Sequence, residues 1–422
     1  MYRARTEPLL LVAAAFFLAI LRSPLLLFHG RVYAEEGTVY LQQAWDASPL
    51  ATLTAVHQGY YSLFMNLLAL VTAKLVPLEW VGFTLTAAAL AVLLLTVYLA
   101  ATCEAFHDAR TRLLAAAVCV LTPAIEVWLT AEDAQFYLPI CVALICLSSE
   151  QRHRIVRTLT LLLAGLTGPV SCVLTPFYLV RAHRRRTPWA YLQAAILVAC
   201  STVQGLILLH TLRSGTRSLG GMVKAEWFGP LLFLKIFSVM LLTRLGAFAA
   251  QHLVLHHPGL PVLFLFWLLT LFCCALFWKL AKMGGEAGKL CFGMALASLA
   301  FNYIGIAEPL HTLFIGAFRY FFSGFALLSM VLVLASAKAV PSSPKEPKAP
   351  RAPETKLALR LICLVLASGA IDAAGYWGRL QRSNPSWRGQ VAAWRTNPDT
   401  PIRVSPEDWP YHIHLQSHPH QP

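Results

Sequence analysis

Apolar runs of about twenty residues recur from Leu9 almost to Trp377 with short polar breaks between them, the spacing of helices that cross a bilayer. The first run, about Leu9 to Phe28, follows Arg3 and Arg5. It is long enough to span and lacks a small-residue cleavage site, so it reads as a retained helix with a cytoplasmic N-terminus. The next run, Tyr60 to Val76, is punctuated by Asn66 and Lys74 and followed by Pro77 and Glu79. It reads either as a second span or as a helix lying in the outer interface. If it spans, Arg110, Arg112, the stretch Gln151-Arg152-His153-Arg154 and Arg157 all fall outside; if it lies on the surface, Trp80 to Ala101 is the second span and they fall inside. The positive-inside rule selects the interfacial reading.

The remaining pattern then follows. Spans are expected at about 112–128 and 134–149, and residues 155–182 form a hairpin whose arms are too short to cross, broken at Gly165-Leu166-Thr167-Gly168-Pro169. A span at 188–211 leads to an outer loop with Arg213, Arg217 and Lys224. Residues 228–250, interrupted by Lys235 and Arg244, read as interfacial or re-entrant. Further spans are expected at 259–278, 288–305 and 312–336, with Glu308 and His311 outside. The fold class is thus an all-α polytopic membrane protein. Its transmembrane domain covers 1–336, with external loops 29–79, 129–133 and 212–258. A Pro/Lys-rich cytoplasmic linker at 337–355, a last span at 356–377 and a short extracytoplasmic tail at 378–422 complete it.

Composition agrees: 57% of the 422 residues are hydrophobic and 13% charged, about half the charge of a soluble domain. A net charge of +14 would suggest nucleic acid in a soluble protein; here Lys and Arg flanking the inner ends of spans account for it. Cysteines such as Cys119, Cys141, Cys146 and Cys291 lie within apolar runs as packing residues, so no disulfide is expected, and no CxxC pair occurs. The sequence holds no Walker loop, GxGxxG, GxSxG or HExxH motif, which removes support for ATP- or cytosolic nucleotide-dependent chemistry.

Acids are scarce, which draws attention to Glu35-Glu36 in the first outer loop and to Glu132-Asp133 on the same side. Adjacent carboxylates on a helix point about 100° apart, so one could act as a base while the other orients a ligand, binds a cation or caps the loop. Tyr33, Tyr40, Tyr60 and Tyr61 offer rings and hydroxyls suited to a sugar, and Gln135 beside Phe136 and Tyr137 forms a stacking wall. The opposing interpretations are a solvated surface for the first pair and a capped helix start in an aromatic belt for the second. Arg319, with Tyr320 in an apolar run, is a cation whose natural partner near the outer leaflet is phosphate; Arg22, Lys74 and Arg244 are similar candidates, and each could instead snorkel to headgroups. His252, His256 and His257 lack a matching Cys or carboxylate cluster, so no metal site is assigned, though the acidic pairs leave a divalent cation open as a cofactor.

The order of these parts resembles the GT-C superfamily of integral-membrane glycosyltransferases that use polyprenyl-phosphate sugars. Within it, the chain is similar to uncharacterised bacterial GT-C-like proteins through Ala34-Glu35-Glu36-Gly37, Gln58-Gly59-Tyr60-Tyr61, Glu132-Asp133-Ala134-Gln135-Phe136, Leu166-Thr167-Gly168-Pro169 and Phe318-Arg319-Tyr320. Two features depart from the pattern: the first acidic pair holds no Asp, and Glu132-Asp133-Ala134-Gln135 stands where Asn-Leu-Gln-like residues are common.

The resemblance implies a bundle of about ten or eleven transmembrane helices in a bacterial inner membrane, with juxtamembrane helices in the first outer loop. It implies transfer of a sugar from a polyprenyl-phosphate donor to an extracytoplasmic glycan, lipid or protein acceptor. Glu35 or Glu36 would be the base, Glu132, Asp133 and Gln135 a second, acceptor-side site, and Arg319 with Tyr320, Lys74, Arg244 and Arg22 would meet the donor phosphate. The alternatives are a flippase or transporter of lipid-linked saccharide and a non-catalytic scaffold of the same fold. The topology has a direct check: a fluorescent reporter that matures only in the cytoplasm should light up when fused after Ala105 and stay dark when fused after Ser48, and the reverse pattern would overturn the interfacial reading of Tyr60 to Val76.

Overall fold

The computed structural model of the chain describes residues 3–123, 126–148, 153–216, 220–256, 259–306, 318–337, 353–382, 386–405 and 412–416. Helices α1 (Arg3–Arg22) and α2 (Pro24–His29) lead to a six-residue π-helix, Glu36–Leu41, and then to α3 (Gln42–Asp46) and α4 (Pro49–Thr54). A two-stranded ribbon, β1 (Val56–His57) and β2 (Tyr60–Tyr61), precedes α5 (Leu63–Lys74). Twelve residues make α5 about 18 Å long, well short of the ~30 Å hydrocarbon core.

Next come α6 (Val81–Thr102), α7 (Ala109–Leu121) and α8 (Ala134–Leu147). The broken hairpin is α9 (Arg154–Gly165) and α10 (Thr175–Arg185), joined through Gly168 at φ 81° and a 3-10 turn, Pro169–Leu174. Then follow α11 (Pro188–Arg213), α12 (Phe228–Leu232), α13 (Ser238–His256), α14 (Leu260–Met283), α15 (Gly285–Gly305), α16 (Arg319–Ala335), α17 (Pro353–Arg382) and α18 (Trp387–Thr396). A second ribbon, β3 (Ile402–Arg403) with β4 (His412–Ile413), ends the described chain. These two ribbons are the exception to an otherwise helical protein.

Among the described residues, six helical stretches are long and apolar enough to cross a membrane: Leu78–Thr102, Pro188–Arg213, Lys224–Thr243, Leu260–Met283, Gly285–Gly305 and Pro353–Gly375. The protein is therefore helical and polytopic, and α5, α8 and α16 are shorter apolar helices. The stretch Lys224–Thr243 overlaps the segment 228–250 expected to be interfacial or re-entrant, and by length and composition it could also cross. Lys235 does not stop it, because its side chain is buried with Nζ 4.3 Å from the centre of the Phe318 ring. The interruption comes instead at Thr243, whose φ of 63° kinks α13. Glu308, His311, Arg217 and nearly all of the 337–355 linker lie outside the described residues.

Three ion pairs gather helix ends at one end of the bundle: Arg112 with Glu7 at 3.0 Å, Arg184 with Glu286, and Lys279 with Glu354 at 3.2 Å. The acidic loops lie at the opposite end, since α8 runs from Asp133 at that end to Ser148 beside Arg181. Close helix approach needs small residues. Gly369 of α17 lies against the Leu121 carbonyl, and a Cβ there would stand 1.6 Å from that oxygen.

The molecule has two hydrophobic cores. One fills the helix bundle; the other lies at the acidic end and joins Val32, Tyr40, Trp45, Met65, Leu78 and Leu85 to Trp387, Val391, Trp394, Ile402, Val404 and Ile413 of the tail. The tail packs there through aromatic anchors with satisfied polar tips. Trp387 Nε1 donates to the Leu78 carbonyl at 2.6 Å, Trp394 Nε1 to that of Leu415 at 3.3 Å, and Trp45 Nε1 to that of Gln416 at 2.8 Å. Trp45 and Trp394 meet edge to face with centroids 6.2 Å apart. Removing a buried Trp side chain costs about 3–5 kcal/mol, so Trp394→Ala should release the tail. Limited proteolysis of the solubilised protein checks this: cleavage within 386–416 should accelerate at least tenfold over wild type while the bundle stays intact.

Candidate functional site

The first acidic pair divides into two environments. Glu36, at the start of the π-helix, is 2% exposed. Its Oε2 accepts the Tyr33 N–H at 2.8 Å, and its Oε1 accepts the N–H groups of Ala131 and Glu132. The carboxyl therefore bridges the segment after α2 to the turn ahead of α8. Burial pushes it up to about 7, against the three N–H donors and the Arg31 guanidinium, which favour the charged form. Glu35 is half-buried, its Oε2 has no hydrogen-bond partner, and it acts electrostatically on Glu132.

The second pair stands at the cavity. A space of about 360 Å³ is lined by Gln58, Tyr60, Glu132, Gln135, Phe136, Pro169, Val170, Thr216, Phe301, Asn302, Gly305, Arg319 and Tyr320. A chain of polar contacts runs along part of this lining. Gln135 Nε2 donates to the Tyr60 hydroxyl at 3.0 Å, that hydroxyl donates to Gln58 Oε1 at 3.2 Å, and Gln58 Nε2 approaches Glu132 Oε1 at 3.5 Å. Burial raises Glu132 well above the ordinary carboxylate range; Glu35 and Asp133 add to the rise, and Arg319 opposes it. Asp133, 1% exposed and with no partner for Oδ2, is likewise raised by burial against the pull of Arg319.

Local sequence accounts for this placement. Gln58 and Gly59 have φ of 52° and 83°, and the pairs His57↔Tyr60 and Val56↔Tyr61 leave a two-residue hairpin loop with both central residues left-handed. This tight reversal carries Gln58 to the cavity. Ala34 at φ 38° and Leu129 at φ 52° sit just ahead of the two acidic pairs, so three strained non-glycine residues surround the carboxyls. Asn302 Nδ2 holds the Tyr320 carbonyl at 2.7 Å, fixing the start of α16 where Arg319 projects.

The structure thus brings Tyr60, Glu132, Gln135, Arg319 and Tyr320 together around one space, with Asp133 and Glu35 in electrostatic reach. Other expected residues lie elsewhere. Arg22 stacks over the Trp128 ring at 3.7 Å and donates to the Val120 carbonyl at 2.8 Å, and Lys74 donates to the Trp45 carbonyl at 2.7 Å, so both are tied to backbone away from the cavity. Tyr33 lies against Arg31, Tyr40 against His57, and the Tyr61 hydroxyl binds the Leu53 carbonyl at 2.8 Å. The Arg244 side chain lies outside the described residues.

Four contributors went unassigned in the sequence: Gln58, Asn302, Glu126 and Arg31. Arg31 is 4% exposed and donates to the Trp128 carbonyl at 2.8 Å and to Thr130 Oγ1 at 2.6 Å, and Glu126 acts on both Asp133 and Arg319. Gln58-Gly59 carried a usable signal as a turn dipeptide between β-prone residues, and Arg31 carried one as a cation close to the acidic pair. Among the described residues no group of three or more His, Cys, Asp or Glu side chains is arranged to hold a metal ion.

No family model, curated protein or solved structure matches this chain.

The Glu36 bridge has a stability signature. Its proton is held more tightly when folded, with a pKa of about 7 against 4.5, so stability is greatest at low pH and falls as pH rises between those values. Thermal unfolding in detergent should show a Tm that decreases from pH 4.5 to 7. In Glu36→Gln the slope should flatten, and the protein should lose about 1–3 kcal/mol at acid pH, because the amide presents an N–H₂ where one backbone donor needs an acceptor.

Proposed function

We propose that the chain is a membrane transferase that moves a sugar from a polyprenyl-phosphate donor to an extracytoplasmic acceptor, with the cavity between Glu132 and Arg319 as its reaction centre. The observation that carries this reading is the pairing, across one space of about 360 Å³, of a carboxyl and a guanidinium with hydroxyl and amide groups between them. Sugar transfer from a lipid phosphate needs these elements: a base at the acceptor hydroxyl, a cation at the leaving phosphate, and neutral hydrogen-bonding groups on the sugar.

In the proposed step, Glu132 takes the proton of the acceptor hydroxyl as that oxygen attacks the anomeric carbon. The bond from that carbon to the phosphate oxygen breaks, and the bonding electrons leave with the lipid phosphate, whose charge Arg319 receives. Gln58, Tyr60 and Gln135 hold Glu132 and the sugar. A base works best when its pKa lies near the working pH, and the burial that raises Glu132 moves it in that direction. Glu36 serves this reading through position, since its three backbone contacts set the turn that carries Glu132. Glu35 serves it through charge.

The test is mass profiling of envelope glycans and lipids from cells expressing wild type or variants at matched protein levels. A hexose- or pentose-sized addition seen with wild type should fall by roughly 10²- to 10⁴-fold in Glu132→Gln and by roughly 10²- to 10³-fold in Arg319→Gln. In isolated membranes the rate should rise with pH through a limb above the ordinary glutamate value of about 4.3, and Glu35→Gln should move that limb down by removing the like charge that raises Glu132 most. Identical profiles in wild type and Glu132→Gln would sink the transferase reading and favour transport through the same cavity.

A further inference from the structure

The end of the bundle opposite the acidic loops carries a second group of polar side chains that the proposed reaction does not use. Arg154 opens α9, and its guanidinium carbon lies 5.3 Å from the centre of the Trp189 ring in the first turn of α11. Trp189 Nε1 is shielded from water and has no hydrogen-bond partner. A buried indole N–H left in that state is destabilising, so an acceptor is missing there. Arg185 and Arg186 stand four and three residues before Trp189, both exposed, and the left-handed φ of 51° at Arg186 turns the chain sharply between α10 and α11. A missing acceptor beside the Arg154 guanidinium, at a turn that also carries Arg185 and Arg186, calls for an anion.

The surroundings say what carries that anion. From Arg154 the same helix continues with Ile155 at 76% exposure and Leu159 at 60%, and α11 continues from Trp189 with exposed Leu192 and Val198. Such apolar strips on a polytopic protein face acyl chains. Phosphate at the level of Arg154 and Trp189 with hydrocarbon along Ile155, Leu159, Leu192 and Val198 describes a phospholipid. We infer that the Arg154–Trp189 corner between α9 and α11 is a binding site for an anionic phospholipid, whose phosphate accepts from the Trp189 N–H and the Arg154 guanidinium. A negatively charged headgroup is favoured over a zwitterionic one because Arg185 and Arg186 add positive charge with no choline-binding carboxylate among the named residues.

The location matters for the fold. α9 and α10 are the arms of the broken hairpin whose 3-10 turn supplies Pro169 and Val170 to the cavity. A lipid seated at the outer side of α9 holds that arm against α11. The site stands whether or not the cavity transfers sugar.

The full chain, purified and placed in nanodiscs of phosphatidylcholine with one-fifth phosphatidylglycerol, should retain phosphatidylglycerol preferentially when released and examined by native mass spectrometry. Trp189→Phe keeps an aromatic side chain while removing the N–H-bearing ring of the indole, and Arg154→Gln removes the charge; each should lower retained phosphatidylglycerol roughly fivefold or more, as loss of one charge-assisted bond predicts. Lys282→Gln, on the same side of the bundle but over Trp278, should retain wild-type levels. Equal losses in Lys282→Gln and Arg154→Gln would overturn the inference in favour of diffuse attraction to a basic face. So would equal retention of both lipids by wild type, or equal thermal stabilisation by inorganic phosphate and by phosphatidylglycerol. A monodisperse Trp189→Phe variant that keeps its lipid would overturn it as well.

Discussion

A carboxyl removed from water must find donors or hold its proton, and Glu36 does some of each. Its two oxygens collect the N–H groups of Tyr33, Ala131 and Glu132, which lie almost a hundred residues apart in sequence. This contact fixes the distance between the segment after α2 and the turn ahead of α8, and the rest of the acidic end is assembled around it. The tail braces the same place: Ser405 exchanges backbone bonds with Val32 and Ala34 on one side, and Val404 and Ile413 press on Gly37 on the other. A side chain at Gly37 would meet those two within 2.6 Å, so the glycine is what lets the tail close over the acidic turn.

The two ends of the bundle use charge differently. At the basic end, Arg112, Arg184 and Lys279 pair with carboxylates at partly exposed positions, where such pairs add little stability and chiefly record which helix ends are neighbours. At the acidic end the carboxyls of Glu36, Glu132 and Asp133 are buried beside Arg31 and Arg319, where every contact is screened weakly. Irregular backbone gathers there too. The π-helix at Glu36–Leu41, the left-handed residues Ala34, Gln58 and Leu129, and the 3-10 turn after Gly168 are departures from regular helix that gather around the polar cavity.

What the sequence by itself determined is the membrane helix plan. Runs such as those at 80–101, 188–211, 259–278 and 288–305 have one physical explanation, the transfer of apolar side chains out of water, and the structure places helices over all of them. The hairpin break at Gly168-Pro169 was equally legible, because Gly and Pro act on local backbone. The segment at 228–250 was read differently because Lys235 counts as an interruption in a linear pattern, whereas in three dimensions it is buried against Phe318.

The division of labour among the acids was decided only by the tertiary structure. In the sequence Glu35 and Glu36 are neighbours of equal standing, and nothing local distinguishes a carboxyl facing a cavity from one bound by three distant N–H groups. Likewise Arg22 and Lys74 look like Arg319 along the chain, yet they are tied to the carbonyls of Val120 and Trp45, while Arg319 reaches the cavity beside Glu132. Hydropathy is a property of a segment and can be read along it. The partner of a buried charge is set by which backbone groups fold against it, and these come from the 126–133 turn, the Gln58-Gly59 hairpin and the tail, segments that meet only in the folded protein.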